Sequence, residues 1–121
     1  MAIINATVIE EPVTVDGQVS TQEVNQTAFQ VQTSTVVTAG TPVQGPSIAV
    51  PFSVAVAVQN DPNNGPNDIL YIANSSANTA IPANRMELRR GQSIALYITN
   101  VNLLWFDSNS NGVDAKILVE A

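Results

Sequence analysis

Large apolar side chains recur at every second position over much of this chain. Phe52, Val54, Val56 and Val58 alternate with Ser53, Ala55 and Ala57. Ile94, Leu96 and Ile98 alternate with Ala95, Tyr97 and Thr99, and Ile117 and Val119 with Lys116, Leu118 and Glu120. Successive side chains of a strand point to opposite faces, so a period of two marks strands with one face buried. The pattern predicts strands over 3–9, 13–15, 27–38, 48–58, 68–73, 93–99, 102–107 and 114–120. The second face carries Ala, Ser or Thr more often than charge, which suits a face covered by a second sheet or by a neighbouring subunit.

Turn chemistry separates these runs. Asp61-Pro62-Asn63-Asn64-Gly65-Pro66-Asn67-Asp68 is a loop, and Asn74–Asn78 and Asn109–Gly112 are turns. One short stretch, Ala83 to Arg90, has helix-forming residues after Pro82, which suits a single turn leading into a strand. The fold class expected is all-β: a single antiparallel β-sandwich, immunoglobulin-like or jelly-roll-like, with an extended N-terminal arm. Residues 1–47 form the arm and edge strands in this reading, and 48–121 the sandwich core. Residues 18–27 are too polar for a core strand. They fit either an arm that orders on a partner or a polar connection within the sandwich.

Composition narrows the chemistry. The chain has 121 residues, no cysteine and no histidine. A disulfide scaffold is excluded, and so are Ser-His-Asp and Cys-His catalysis. Only 12% of residues are charged, about half the usual quarter. The formal net charge is −6, and no Lys or Arg precedes Arg85. Nucleic acid is therefore not an expected partner, because binding it needs a basic face that displaces counterions. An anionic membrane surface is disfavoured for the same reason. The first residues, MAIINATVIEE, lack the cationic start and long apolar core of a signal peptide, and no apolar run is long enough to span a bilayer. The ten carboxylates lie in or beside turns, with no Gly-rich phosphate loop or nucleophile elbow. The expectation is a protein that is not an enzyme and needs no cofactor.

Three motifs remain. Asp107-Ser108-Asn109-Ser110-Asn111-Gly112 matches the first half of a calcium loop, with Asp107, Asn109 and Asn111 as oxygen ligands. The twelfth position, which should be a bidentate Glu, is Leu118. A turn between two strands explains the same residues and is the preferred reading. Trp105, among Leu103, Leu104 and Phe106, is expected in the core. Arg85, Arg89 and Arg90 hold three of the four cations, and Arg suits carboxylate pairing at a subunit contact or a solvated turn.

The C-terminal half carries a resemblance. Ile69-Leu70-Tyr71-Ile72-Ala73-Asn74-Ser75 is followed by Leu88, by Gly91-Gln92-Ser93 and Leu96, and then by Asn100-Val101-Asn102-Leu103-Leu104-Trp105-Phe106-Asp107. Gly112 and the strand Ile117 to Glu120 close the chain. This order, over residues 48–121, resembles small structural proteins of tailed bacteriophages. Arg90 stands where that pattern has Pro, and Ala73 where it has Gly, both at turns. The resemblance implies a β-sandwich on the virion capsid surface: a decoration protein that binds the major capsid protein, often as a homotrimer. The residues expected at such interfaces are Ile3, Ile4, Val8, Phe29, Val31, Arg85, Arg89 and Arg90. The alternative is a tail- or fibre-associated host-recognition module that binds carbohydrate through loops 61–68, 74–80 and 107–113, with Tyr71, Tyr97 or Trp105 as stacking platforms.

Overall fold

A computed structural model describes residues 29–120 of the chain. The strands expected at 3–9 and 13–15 lie outside the described residues. Eight strands follow in order: β1 (Phe29–Val36), β2 (Val43–Gln44), β3 (Val56–Asn60), β4 (Ile69–Ala73), β5 (Met86–Arg89), β6 (Ser93–Leu96), β7 (Trp105–Ser108) and β8 (Val113–Glu120). They make two four-stranded antiparallel sheets. Sheet A has the order β1-β8-β3-β6 and sheet B the order β2-β7-β4-β5.

The pairing has one simple rule. β1 lies on β8, β2 on β7, β3 on β6 and β4 on β5. The chain is thus one long hairpin, with its first four strands against its last four. The doubled ribbon then rolls so that successive pairs alternate between sheets, and β8–β3 and β7–β4 contacts zip the turns of the roll together. This is the jelly-roll order.

Alternation decides which residues fill the space between the sheets. From sheet A come Val36, Val56, Val58, Val113, Ala115, Ile117 and Val119; from sheet B come Leu70, Ile72, Leu88 and Phe106. All are buried, Phe106 completely. Four connections gather at one end of the sandwich: 37–42, 61–68, 90–92 and 109–112. There a buried Asn pair replaces apolar packing. The Asn60 side chain donates to the carbonyls of Asp68 (3.0 Å) and Leu88 (2.9 Å) and accepts from Asn64 (2.7 Å). Asn64 also bonds both backbone groups of Asp114. The other three connections, 45–55, 74–85 and 97–104, occupy the opposite end.

Three expectations change. The single turn after Pro82 is present as a 3-10 turn at Pro82–Asn84, but the strand it leads into starts at Met86 rather than at 93, because pairing with β4 outweighs the weak helix propensity of Met86 and Leu88. The run expected at 48–58 is a strand only from Val56. Pro51 has no N–H to give a ladder, and the chain turns there, with Val54 N–H donating to the Pro51 carbonyl at 3.1 Å. Trp105 is half-buried and lies on the outer face of sheet B; it is Leu104 and Phe106 that point inward.

Gly45 marks the tightest contact between the two loops of that opposite end. Its N–H donates to the Leu104 carbonyl at 2.8 Å, and a Cβ there would collide with the Val101 carbonyl oxygen. Gly45→Ala is expected to cost about 1–3 kcal/mol, the usual range for overpacking. Urea denaturation measures it, and an unchanged midpoint would mean that the two loops part freely.

Candidate interaction surface

The two sheets differ on their outer faces. On sheet B, Arg85 packs over part of the surface. Its guanidinium stacks over the Tyr71 ring at 3.6 Å from the centroid. Its Nη2 pairs with Glu87 Oε2 at 2.9 Å, and its Nη1 donates to the Thr79 carbonyl, also at 2.9 Å. Tyr71 and Glu87 are cross-strand partners on β4 and β5, so the sheet register assembles this cluster. Trp105 lies between Gln44 and Ala73 on neighbouring strands.

Sheet A has no such cover among the described residues. Its register places Val31, Leu118, Ala57 and Ala95 in one row across four strands, all outward. Phe29 follows in the next row beside Glu120. Phe29 is 66% exposed and Val31 52%. β1 forms one margin of this face and carries no charged residue and no proline over its eight positions, FQVQTSTV. Edge strands are commonly protected against pairing by Lys, Pro or bulges; β1 has neither of the first two.

The end of sheet A where β1 begins also holds the loops 45–55 and 97–104. Here Phe52 is 97% exposed and Tyr97 77%. They flank an uncharged recess of about 540 Å³ that Val50, Pro51, Val54 and Ile98 also line. The turn that carries Phe52 is strained. Ser53 has φ +67°, a left-handed conformation that turns at this position reserve for Gly or Asn. For a residue other than glycine it costs roughly 1–2 kcal/mol. Alternation alone had placed Phe52 inside a strand. Pro51 within the run was the signal against that, since proline interrupts a ladder.

The residues expected at interfaces are thus spread over the molecule. Ile3, Ile4 and Val8 lie outside the described residues. Phe29 and Val31 stand exposed on β1. The three arginines do not form one cluster, because four residues of β5 separate Arg85 from Arg90. At about 3.3 Å per residue a strand moves them apart, where a helix would have stacked them. Arg85 is engaged on Tyr71 and Glu87, which disfavours it as a free subunit contact. Arg89 is exposed, and Arg90 Nη1 makes a long bond of 3.4 Å to the Asn64 carbonyl.

The three oxygens proposed for calcium serve three different backbone segments. Asp107 Oδ1 accepts from the N–H groups of Gly40 (2.9 Å) and Ser108 (2.8 Å). Asn109 Oδ1 accepts from Ile69 N–H and Asn111 Oδ1 from Ala39 N–H, each at 2.8 Å. Among the described residues no three Asp or Glu side chains group as metal ligands. The loops of the carbohydrate alternative are divided as well: 61–68 and 107–113 share the polar end, and 74–80 sits at the other. No described helix is long and apolar enough to cross a membrane. Comparison of the chain with protein-family models, with curated proteins and with solved structures finds no match.

Asp107 is buried, and two backbone donors converge on one of its oxygens. Asp107→Ala strands both, and at about 1.5–3 kcal/mol for a hydrogen bond to a charged group the loss expected is about 3 kcal/mol. Chemical denaturation would read it. A loss confined to calcium-containing buffer would instead reveal a metal site.

Proposed function

We propose that this protein is a decoration protein of a bacteriophage capsid, binding the outer surface of the shell through sheet A and its β1 edge. The observation that carries the reading is the contrast between the two outer faces. On sheet B the Arg85–Tyr71–Glu87 cluster covers part of β4 and β5, whereas sheet A presents Phe29, Val31 and an uncharged row beside an edge strand, β1, that carries neither Lys nor Pro. A long, uncharged edge is a template for strand addition by a partner. The resemblance of residues 48–121 to tailed-phage structural proteins names the class of partner, the major capsid protein. The jelly-roll order is compatible with it, since viral capsid domains use that architecture, but lectins and cupins use it too.

The action is mechanical. Each copy buries apolar surface on neighbouring shell subunits, and many modest contacts repeated over the shell give a high combined avidity. A homotrimer fits such a role, as do arms formed by residues 1–15. No step requires chemistry, a cofactor or a nucleic acid.

A second reading has one observation in its favour. Exposed Phe52 and Tyr97 beside a neutral recess suit stacking on a sugar, as in a host-recognition module of a tail or fibre. Tyr71 and Trp105 do not add to it: Arg85 covers the first, and the second is half-buried.

Quantitative mass spectrometry of purified particles separates the two. Decoration predicts a copy number equal to that of the shell protein or a simple fraction of it. A deletion of residues 1–15, and separately Val31→Lys, should then lower occupancy by about tenfold or more, as loss of an interface anchor does. A handful of copies per particle would favour the tail reading. Full occupancy by both variants would overturn docking through sheet A and the arm.

A further inference from the structure

The described unit leaves Phe52, on a strained turn, almost wholly in water. Burying such a ring is worth about 1.5–3 kcal/mol, so the arrangement is unfavourable unless something covers it. Strain at a residue that is not glycine persists where the conformation serves a contact. The recess beside it is uncharged, and in a chain of net charge −6 this restricts what fits: an acidic segment would lose its hydration there without finding a cation.

We propose that residues 3–9 of the same chain, Ile-Ile-Asn-Ala-Thr-Val-Ile, dock in the recess and cover Phe52 and Tyr97. The proposal does not rest on the virion reading; on a shell the same segment would have to leave the recess before it could act as an arm.

Four observations favour this occupant. First, the preceding chain enters at the correct end. β1 starts at Phe29, and the sheet A register puts its neighbour Gln30 in the same row as Val119, Val56 and Leu96, one residue before Tyr97. Second, the reach fits. Three strand spacings of about 4.8 Å separate β1 from β6, or about 14 Å. Residues 10–28 supply 19 residues of connection, which at up to about 3.3 Å each can reach several times that distance. Third, the chemistry fits. Residues 1–9 carry no charged side chain, whereas Glu10, Glu11, Asp16 and Glu23 follow. In an extended segment Ile4, Ala6 and Val8 share one face, all apolar, while Asn5 and Thr7 lie on the other. Fourth, a tether of this length gives an effective concentration near millimolar, which favours the chain's own segment over a second copy in dilute solution.

The test uses the isolated full-length protein. Amide hydrogen exchange is followed at residues 50–54 and 97–99 in the native chain, in a deletion of residues 1–15, in Ile4→Asp/Val8→Asp and in Asn5→Asp/Thr7→Asp. Exchange at these sites is expected to quicken by about tenfold or more in the deletion and in the Ile4/Val8 variant, corresponding to about 1.4 kcal/mol of docking. It should stay close to native in the Asn5/Thr7 variant and should not depend on protein concentration. Equal exchange in all four proteins would overturn the proposal. Protection that grows with concentration would identify a second copy as the occupant, and protection that appears only on adding a neutral oligosaccharide would identify a sugar site; either result also overturns it.

Discussion

β8 holds sheet A in register. Its inward residues, Val113, Ala115, Ile117 and Val119, are all buried, and it pairs with β1 along eight positions and with β3 along five. A slip of one residue would turn Asp114 and Lys116 into the core and Ile117 out to water. That penalty fixes β8, and β8 in turn sets which residues of β1 and β3 face in. β3 then places β6, so the whole of sheet A takes its register from one strand. The outward row of Val31, Leu118, Ala57 and Ala95 is a consequence of the same register, as is the exposure of Phe29 at the margin.

The polar end of the molecule completes this constraint. Asn64 grips both backbone groups of Asp114, at the start of β8, and bonds the buried Asn60 at the end of β3. Asp107 and Asn111 tie the β1–β2 turn to β7 and to the β7–β8 turn. These residues form a latch for the rolled hairpin. The same oxygens that resemble a calcium loop in sequence are engaged by backbone donors drawn from distant parts of the chain. One end of the sandwich is thus held by hydrogen bonds. The other carries the apolar, strained surface around Phe52.

The contrast between the two outer faces has a physical origin in cross-strand pairing. Tyr71 and Glu87 are opposite each other, and an arginine just before β5 can reach both. The register of sheet B therefore assembles the Arg85–Glu87 ion pair. The outer face of sheet A carries its aliphatic row beside rows that hold Asp114, Lys116 and Glu120, and no arginine stacks on an aromatic ring there among the described residues.

Much of this was legible in the order of residues. The period of two made the protein all-β, and Asp61–Asp68 and Asn109–Gly112 announced their turns, because both signals come from local backbone preferences. The lack of His and Cys excluded whole classes of chemistry without any structure. Other features were not local. Trp105 and Phe106 are adjacent and comparably apolar, and only packing against the opposite sheet decides that Phe106 goes inside. Pro51 interrupts a run that alternation alone joins into one strand, and Arg85 finds Tyr71 only because β4 and β5 pair. The jelly-roll order likewise depends on which strand meets which across as many as ninety residues, as when Phe29 faces Glu120. Alternation marks that a strand has an inner face but carries no information about its neighbour; the tertiary structure decides that by burying all of the inner faces at once.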